Sequence, residues 1–565
     1  MVYLASLDGV AQRPHDRLLA DHLRESTRAV PAIQRALLLS WLLLLRHRSP
    51  ESTHERIASE PVTTSVKRPA SPPASEPTTT SLKRFAALPA IALLAVLLRL
   101  IAGVGFVNYD TLYALAWGGQ LSRGSLPAYG VPIAPTPHPL VELVGVVLSP
   151  LGPHAVLEVT IALGFLALAA CGWVIYRLGA LWFGWAAGAL AALIFLTRVD
   201  VLSYGVRAYI DLPYLLLVLS ALLVESRHLR ERHQPAGVPV LALLALAGLL
   251  RPEAWAFSAL YWLYLVGLVP RWARRGRSWR ELPRRELARL TLLAAAAPLV
   301  WVFSDLLITG DPLWSLTNTR HTAETLSRVT GIVNVPEYIP RRIGEILRPP
   351  VLVGAALGGV LALLWLRSRA LIGALAGALA VVVFAAFATV GLPINTRYAF
   401  LAAAILCIFC GAGAFGWTQL PREHPRRRAW MVAGLLVLSA LLAFAPSQYR
   451  SAHSQLDELA RQQSIEGDLL ALVHSHAINL RCGPVGVPNH APVPLLALYL
   501  ETSPRNVVSP EAGHIAYGVY VDPASKQVEQ DYVLDKRDPV EHASVPPGFT
   551  ATATNRSWLI FQRCG

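Results

Sequence analysis

Apolar residues along this chain come in long unbroken runs, not at the spacing of a soluble core. The runs fall at residues 85–107, 155–176, 182–196, 212–224, 238–250, 254–268, 290–308, 351–366, 370–390, 398–417 and 430–445. About 18 apolar residues suffice to cross the hydrocarbon core of a bilayer. A buried helix of a soluble protein explains one such run but not a chain full of them. The pattern predicts an all-α polytopic membrane protein with about eleven transmembrane helices. The runs at 238–250 and 254–268 are short, and Arg251, Pro252 and Glu253 form the turn between them.

The polar stretches divide the rest. Residues 1–84 read as a cytoplasmic, largely disordered region, because 49–80 is rich in Pro, Ser, Thr, Glu and Ala. Within it, 36–45 is strongly apolar but too short to span. It ends in Arg46, His47 and Arg48 and reads either as an interfacial helix or as chain ahead of the true start. No small-residue cleavage site of the signal-peptide kind lies near the start. After the first run, 111–123 reads as an amphipathic helix near the membrane surface. Pro127, Pro132, Pro135, Pro137 and Pro139 then predict a rigid extended loop. Residues 310–349 read as a long loop. Residues 446–565 read as a small extracytoplasmic α/β domain: a helix at 455–476, strands at 485–487 and 506–509 around a helix at 494–501, and a last strand at 558–561.

Composition agrees. The chain is 54% hydrophobic and 15% charged, where a soluble domain is close to a quarter charged. Its net charge of +14 is distributed in alternate loops. Arg177 ends one run, and Arg227, Arg230 and Arg232 follow another. The most basic loop holds Arg271, Arg274, Arg275, Arg277, Arg280, Arg284, Arg285 and Arg289. Arg367 and Arg369, then Arg422, Arg426, Arg427 and Arg428, complete the set. Basic loops stay in the cytoplasm, so the expected topology is a multi-pass plasma-membrane protein with its N-terminus inside and its C-terminus outside. Aromatics do not interleave with a basic face, which sets nucleic acid aside. No Gly-rich phosphate loop appears, so a nucleotide site is unsupported, and no repeat of the spans is visible.

The chain has five cysteines. Cys171, Cys407 and Cys410 lie in apolar runs, where a free cysteine behaves as a small hydrophobe. Cys407 and Cys410 lack the second pair that a metal site needs. Cys482 and Cys564 stand in the polar C-terminal region. Outside the cytoplasm they are expected to pair as a disulfide and not to remain two free thiols. Asn555-Arg556-Ser557 fits the N-glycosylation sequon, a pattern short enough to arise by chance. His138 and His321, as lone loop histidines, read as solvated before they read as metal ligands.

Charged residues gather at the outer ends of the runs: Asp110, His138, Glu142, Asp200, Arg207, Asp211, Arg251, Glu253, Asp305 and Arg397. Any one of them could merely cap a helix, since a charge at the membrane edge reaches water. As a set they bring carboxylates and arginines to one face beside lipid. Arginine binds phosphate bidentately, so Arg207, Arg251 and Arg397 suit a lipid-linked phosphate. A carboxylate such as Asp110 suits a general base acting on an acceptor hydroxyl.

Over roughly residues 85–445 the arrangement resembles the GT-C class of polytopic membrane glycosyltransferases, of the polyprenyl-phosphate-sugar-dependent, mannosyltransferase-like type. The resemblance is carried by Asn108-Tyr109-Asp110 after the first span, the following helix, and Gly118-Gly119-Gln120-Leu121-Ser122-Arg123-Gly124. The Pro-rich stretch to Pro139, Arg207-Ala208-Tyr209-Ile210-Asp211, Leu250-Arg251-Pro252-Glu253 and Arg397-Tyr398 add to it. It implies a hexosyltransferase that moves a sugar from a polyprenyl-phosphate donor to a cell-envelope glycan, lipid or protein on the outer face, usually with inversion. It implies Asp110 as base and Arg207, Arg251 and Arg397 on the donor phosphate. Asp200, Asp211, Glu253 and His138 would contact the acceptor or a cation. Many members carry two adjacent acidic residues where this chain has Asp110 and then Thr111, so a metal site built on such a pair lacks its second carboxylate. A divalent cation stays an open question, with no ligand set assigned. Two other functions compete. A transporter or flippase of an envelope lipid needs a polar path through mid-membrane, where few charges lie. A non-catalytic scaffold would tolerate replacement of Asp110.

Overall fold

The computed structural model describes residues 87–268, 283–533 and 544–564. The region 1–84, including the apolar segment 36–45, lies outside these residues, as do Arg271, Arg274, Arg275, Arg277 and Arg280 of the most basic loop. Among the described residues, fifteen helices of seven residues or more precede the C-terminal sheet. They are α1 (Ala87–Ala102), α2 (Tyr109–Ser122), α3 (Pro139–Leu148), α4 (Pro153–Phe183), α5 (Trp185–Leu196), α6 (Val199–Val206), α7 (Asp211–Arg232), α8 (Val238–Gly248), α9 (Glu253–Leu263), α10 (Arg284–Thr309), α11 (Trp314–Thr325), α12 (Val335–Trp365), α13 (Arg367–Thr389), α14 (Phe400–Phe415) and α15 (Arg427–His474).

Among the described residues, seven helices are long and apolar enough to cross a membrane, and eight if α5 and α6, bent by 66° across Thr197 and Arg198, count as one span. The expected count of about eleven included shorter pieces. Ala87–Ala102 and Val238–Gly248 are apolar helices below spanning length, and α9 has 11 residues. A further short apolar helix, α3, follows directly on the Pro-rich loop, with Pro139 at its first turn, where a missing N–H costs nothing. The predicted long loop at 310–349 is largely helical. It holds α11 and the first part of α12, which breaks at Arg348, where φ is 63° ahead of Pro349 and Pro350. A residue before proline is pushed out of the α region, so the break sits where the sequence puts it.

Helix α14 is the hub. Fourteen of its 16 residues are buried, and α12, α5, α4, α13 and α15 all pack on it. Small residues allow this approach. A side chain at Gly358 would meet the Phe409 carbonyl, one at Gly411 the Ala187 carbonyl, and one at Gly434 the Ala414 carbonyl. In lipid, helices associate by such close backbone packing, because burial against hydrocarbon supplies little drive. Cys407 and Cys410 are buried, free members of this hub, and Cys171 is likewise buried and free.

The helix α15 has 48 residues, about 72 Å at 1.5 Å per residue. It is therefore continuous from the last apolar run into the C-terminal region. There the described strands β1 (Val485–Gly486), β2 (Val507–Val508), β3 (Gly518–Pro523), β4 (Thr550–Thr554) and β5 (Trp558–Arg563) form one sheet in the order β2-β1-β3-β5-β4. β1 runs parallel to β2 and β3, and β5 antiparallel to β3 and β4. The helix α16 (Val493–Tyr499) follows β1. A Cys482–Cys564 disulfide joins the chain ahead of β1 to the chain after β5, with the Cα atoms 4.8 Å apart. The Asn555 side-chain amide is spent on the β4–β5 turn: it donates to Asp468 O at 2.7 Å, and its oxygen accepts from Ser557 N and Trp558 N.

The helix predicted at 111–123 is present as α2, but it does not lie on a surface. Every residue from Thr111 to Gln120 is buried, because α16 covers one side and α3 another. Its Tyr113 and Trp117 share one apolar core with Leu496, Val521 and Trp558 of the C-terminal domain. The α2–α3 crossing is backbone on backbone. A methyl on Gly118 would strike the Glu142 carbonyl, and one on Gly145 would sit 2.9 Å from the Leu115 carbonyl. Gly118→Ala is therefore expected to destabilise the fold by roughly 1–3 kcal/mol through overpacking, read as a lower thermal midpoint of the protein in detergent. An unchanged midpoint would show that the crossing has slack.

Candidate active site

The site begins with how the first loop is held. Asn108 caps α2 with extended backbone, and its side-chain oxygen accepts from Asp110 N at 2.9 Å and Thr111 N at 3.3 Å. Asn is among the best N-cap residues because it satisfies these otherwise orphan donors. Its amide nitrogen donates to Thr111 Oγ1, Arg207 O and Ala208 O at 2.8, 3.1 and 3.2 Å. Asn108 N also donates to Arg207 O at 2.9 Å. One side chain thus starts α2 and clips it to the end of α6.

Asp110 then projects from the first turn of α2. Its carboxylate accepts from Arg397 Nη1 at 2.5 Å, and the same nitrogen is 4.0 Å from Asp211 Oδ2. Asp211, the first residue of α7, is bonded through Oδ1 to Arg251 Nη1. Arg251 in turn donates to Glu253 at the start of α9, with Nη2–Oε1 at 2.5 Å and Nε–Oε2 at 3.3 Å. Tyr398 lies between the two guanidinium groups, with Arg251 4.3 Å and Arg397 5.6 Å from its ring centre. Tyr214 packs against Arg251 as well, at 5.4 Å. Asp211, Arg251 and Glu253 are buried, while Asp110 and Arg397 are half-buried. The three carboxylates all occupy the first turns of their helices, where the positive ends of the helix dipoles favour negative charge.

Burial pushes the Asp110 carboxyl up, but Arg397, then His138 and Arg251, outweigh it and hold the group below its ordinary range. It is a carboxylate at neutral pH. His138 is buried, and burial brings its imidazole down to about 4 despite the pull of Asp110. It is neutral at pH 7, with Nδ1 2.7 Å from the Leu250 carbonyl, so it braces the turn that carries Arg251.

A narrow cleft opens beside this chain of ion pairs. Its lining combines Asp211, Arg251, Glu253, Arg397 and Tyr398 with apolar side chains: Phe257 from α9, Val383, Phe384 and Phe387 from α13, and Leu401 from α14. Among the described residues, the Nε of Arg397 is buried without a hydrogen-bond partner, as is Oδ2 of Asp211.

The structure brings together Asp110, Asp211, Arg251, Glu253 and Arg397, with His138 behind them. Arg207 is adjacent but outside the cleft. Its backbone carbonyl holds Asn108, and its side chain bonds Ser203 and lies over Tyr204 and Tyr209 at 5.4 and 4.9 Å. Asp200 lies in α6, where the charges it feels most are Arg348 and Glu345. Glu142 accepts from the Tyr129 hydroxyl at 2.8 Å. Asp305 accepts from Ser315 N and Oγ, both at 2.8 Å, and so holds the start of α11. The stacking roles of Tyr214 and Tyr398 carry no signal in the sequence beyond Tyr398 standing next to Arg397. Among the described residues, no three His, Cys, Asp or Glu side chains come together at metal-binding spacing. Asp110, Asp211 and Glu253 are engaged by guanidinium groups.

No protein-family model matches the chain, and no curated protein matches it in sequence. In structure it is similar to ArnT from Cupriavidus metallidurans bound to undecaprenyl phosphate, with a TM-score of 0.51 at 14% identity over 85% of this chain and 98% of that one. The apo state of the same protein superposes with a TM-score of 0.50, at the same identity and coverage. At this identity the likeness is one of fold alone: the chain has the fold seen in that protein.

Proposed function

We propose that this protein is a membrane glycosyltransferase that moves a sugar from a polyprenyl-phosphate donor to a cell-envelope acceptor on the outer face of the membrane. The observation that carries the reading is the mixed lining of the cleft. Arg251 and Arg397, the latter with an Nε that lacks a hydrogen-bond partner among the described residues, line it together with Val383, Phe384 and Phe387. Such a cleft suits a ligand that joins an anionic phosphate to a hydrocarbon chain. The ArnT structure with undecaprenyl phosphate shows a protein of the same fold with such a lipid bound. The arginine-rich turns support the side assignment. Arg230 and Arg232 end α7, while Asp211 begins it, and about 33 Å of helix at 1.5 Å per residue separates the two ends. That length matches the hydrocarbon core, and basic turns stay inside.

In this reading Arg251 and Arg397 hold the donor phosphate, and Arg207 serves the first loop. Arg397 is bound to Asp110, so a phosphate that takes its guanidinium also frees Asp110. The acceptor hydroxyl then gives its proton to Asp110 while its oxygen attacks the anomeric carbon. The bond from that carbon to the phosphate oxygen breaks, and its electron pair leaves with the polyprenyl phosphate, where the arginines stabilise the new charge. Attack opposite the leaving phosphate inverts the anomeric centre. Asp211 and Glu253 orient the arginines.

Three measurements test this in protein reconstituted in lipid, supplied with synthetic polyprenyl-phosphate sugars and a panel of acceptors. Asp110→Asn should lower kcat by roughly 10²–10⁴-fold, the usual worth of a general base, in a protein that still folds. Activity retained within a few-fold would remove Asp110 as base. Arg397→Lys should raise the donor KM by about tenfold, because lysine cannot supply a planar two-point contact; an unaltered KM would place the phosphate elsewhere. The Asp110 carboxyl lies below its ordinary range, so the base stays ionised as pH falls from neutral. The acid limb of kcat/KM should therefore lie below the ordinary aspartate value of about 3.9, and an inflection between pH 5 and 7 that Asp110→Asn abolishes would contradict it.

A further inference from the structure

The C-terminal domain reaches the first loop at two points on either side of Asn108. Gly105 N donates to Gln463 Oε1 of α15 at 3.2 Å. On the far side, the ring of Tyr109 meets His490 edge-on, with centroids 5.6 Å apart and planes at 79°. His490 lies between β1 and α16, and its Nδ1 is 2.9 Å from Glu511 Oε1 in the β2–β3 connection. Both side chains are nearly buried, at 13% and 11% exposure, so the imidazole has one bonded edge and one apolar contact. Tyr109 is fixed on its other sides by its hydroxyl, which donates to Ile133 O at 3.1 Å, and by Tyr113 at 5.0 Å. Asp110 is the next residue in the chain, and among the described residues its carboxylate bonds Arg397.

We infer that the C-terminal domain is a working part of the site: His490, held by Glu511, packs on Tyr109 and so positions Asp110 against Arg397. The inference rests on the transferase reading for its catalytic consequence but not for the contact itself. His490 and Glu511 are positioning residues, since neither touches the reacting atoms. A hydrophobic residue at 490 would fill the space without being tied to Glu511. A rotation of the first turn of α2 would move the Asp110 carboxylate against a fixed Arg397, and small displacements of a catalytic group are costly.

The experiment uses the full chain in lipid nanodiscs with two readouts: hydrogen–deuterium exchange of peptides covering 105–113, and the kcat and donor KM of transfer. His490→Ala is expected to raise exchange at 105–113 and to lower kcat by about 10–100-fold with donor KM within about threefold, as misplacement without loss of binding does. Glu511→Gln keeps an oxygen for the imidazole N–H and is expected to stay close to wild type, whereas Glu511→Ala follows His490→Ala. Should His490→Ala not fold, Glu511→Ala carries both readouts, since the ring is then present but unheld. Unchanged exchange at 105–113, or raised exchange with unchanged kcat, overturns the inference. Raised exchange in a protein whose wild type transfers no sugar upholds the contact and removes the transferase reading instead.

Discussion

Two arginines and three carboxylates, largely out of water at one end of an apolar helix bundle, tie four helix starts together. Each of these ions loses several kcal/mol of hydration on burial, and only its partners offset that loss. Asp110 belongs to α2, Asp211 to α7, Glu253 to α9, and Arg397 to the turn before α14. None of these helices can shift without leaving a buried charge unpaired. The chain of ion pairs therefore acts as the reference frame of the site. The same physics makes it responsive, because an anion entering the cleft competes directly for Arg397.

The rest of the architecture supplies two supports for that frame. From within the bundle, α14 brings Arg397 and Tyr398 to the cleft from a helix with almost no free surface. Glycines at its crossings allow backbone contact where larger side chains would push the neighbours away. From outside the bundle, the C-terminal domain closes over α2. Tyr113 and Trp117 are core residues of both parts, so the helix carrying Asp110 is clamped between bundle and domain. A site on a helix packed from both sides can hold a charge in place far better than one on a free surface helix.

The sequence by itself determined a good deal. Unbroken apolar runs require a membrane, because no other solvent accepts them. The residues of the ion-pair chain were also legible: Asp110, Asp211, Arg251, Glu253 and Arg397 are ionisable groups at the ends of apolar runs, where a charge has a steep price unless it has work or a partner. What the pattern could not express was which charges meet. Asp200 and Arg207 have the same local signature as Asp211, yet the 66° bend between α5 and α6 turns them toward other neighbours. The periodicity of 111–123 could not show burial either. A helix covered by the far end of the chain looks, in its own residues, like one lying on a membrane. The number of crossings, the helices within 310–349 and the contact of His490 with Tyr109 were likewise decided by tertiary structure. Hydropathy records what each segment does to water, whereas helix length, bend and contact are set by segments hundreds of residues away.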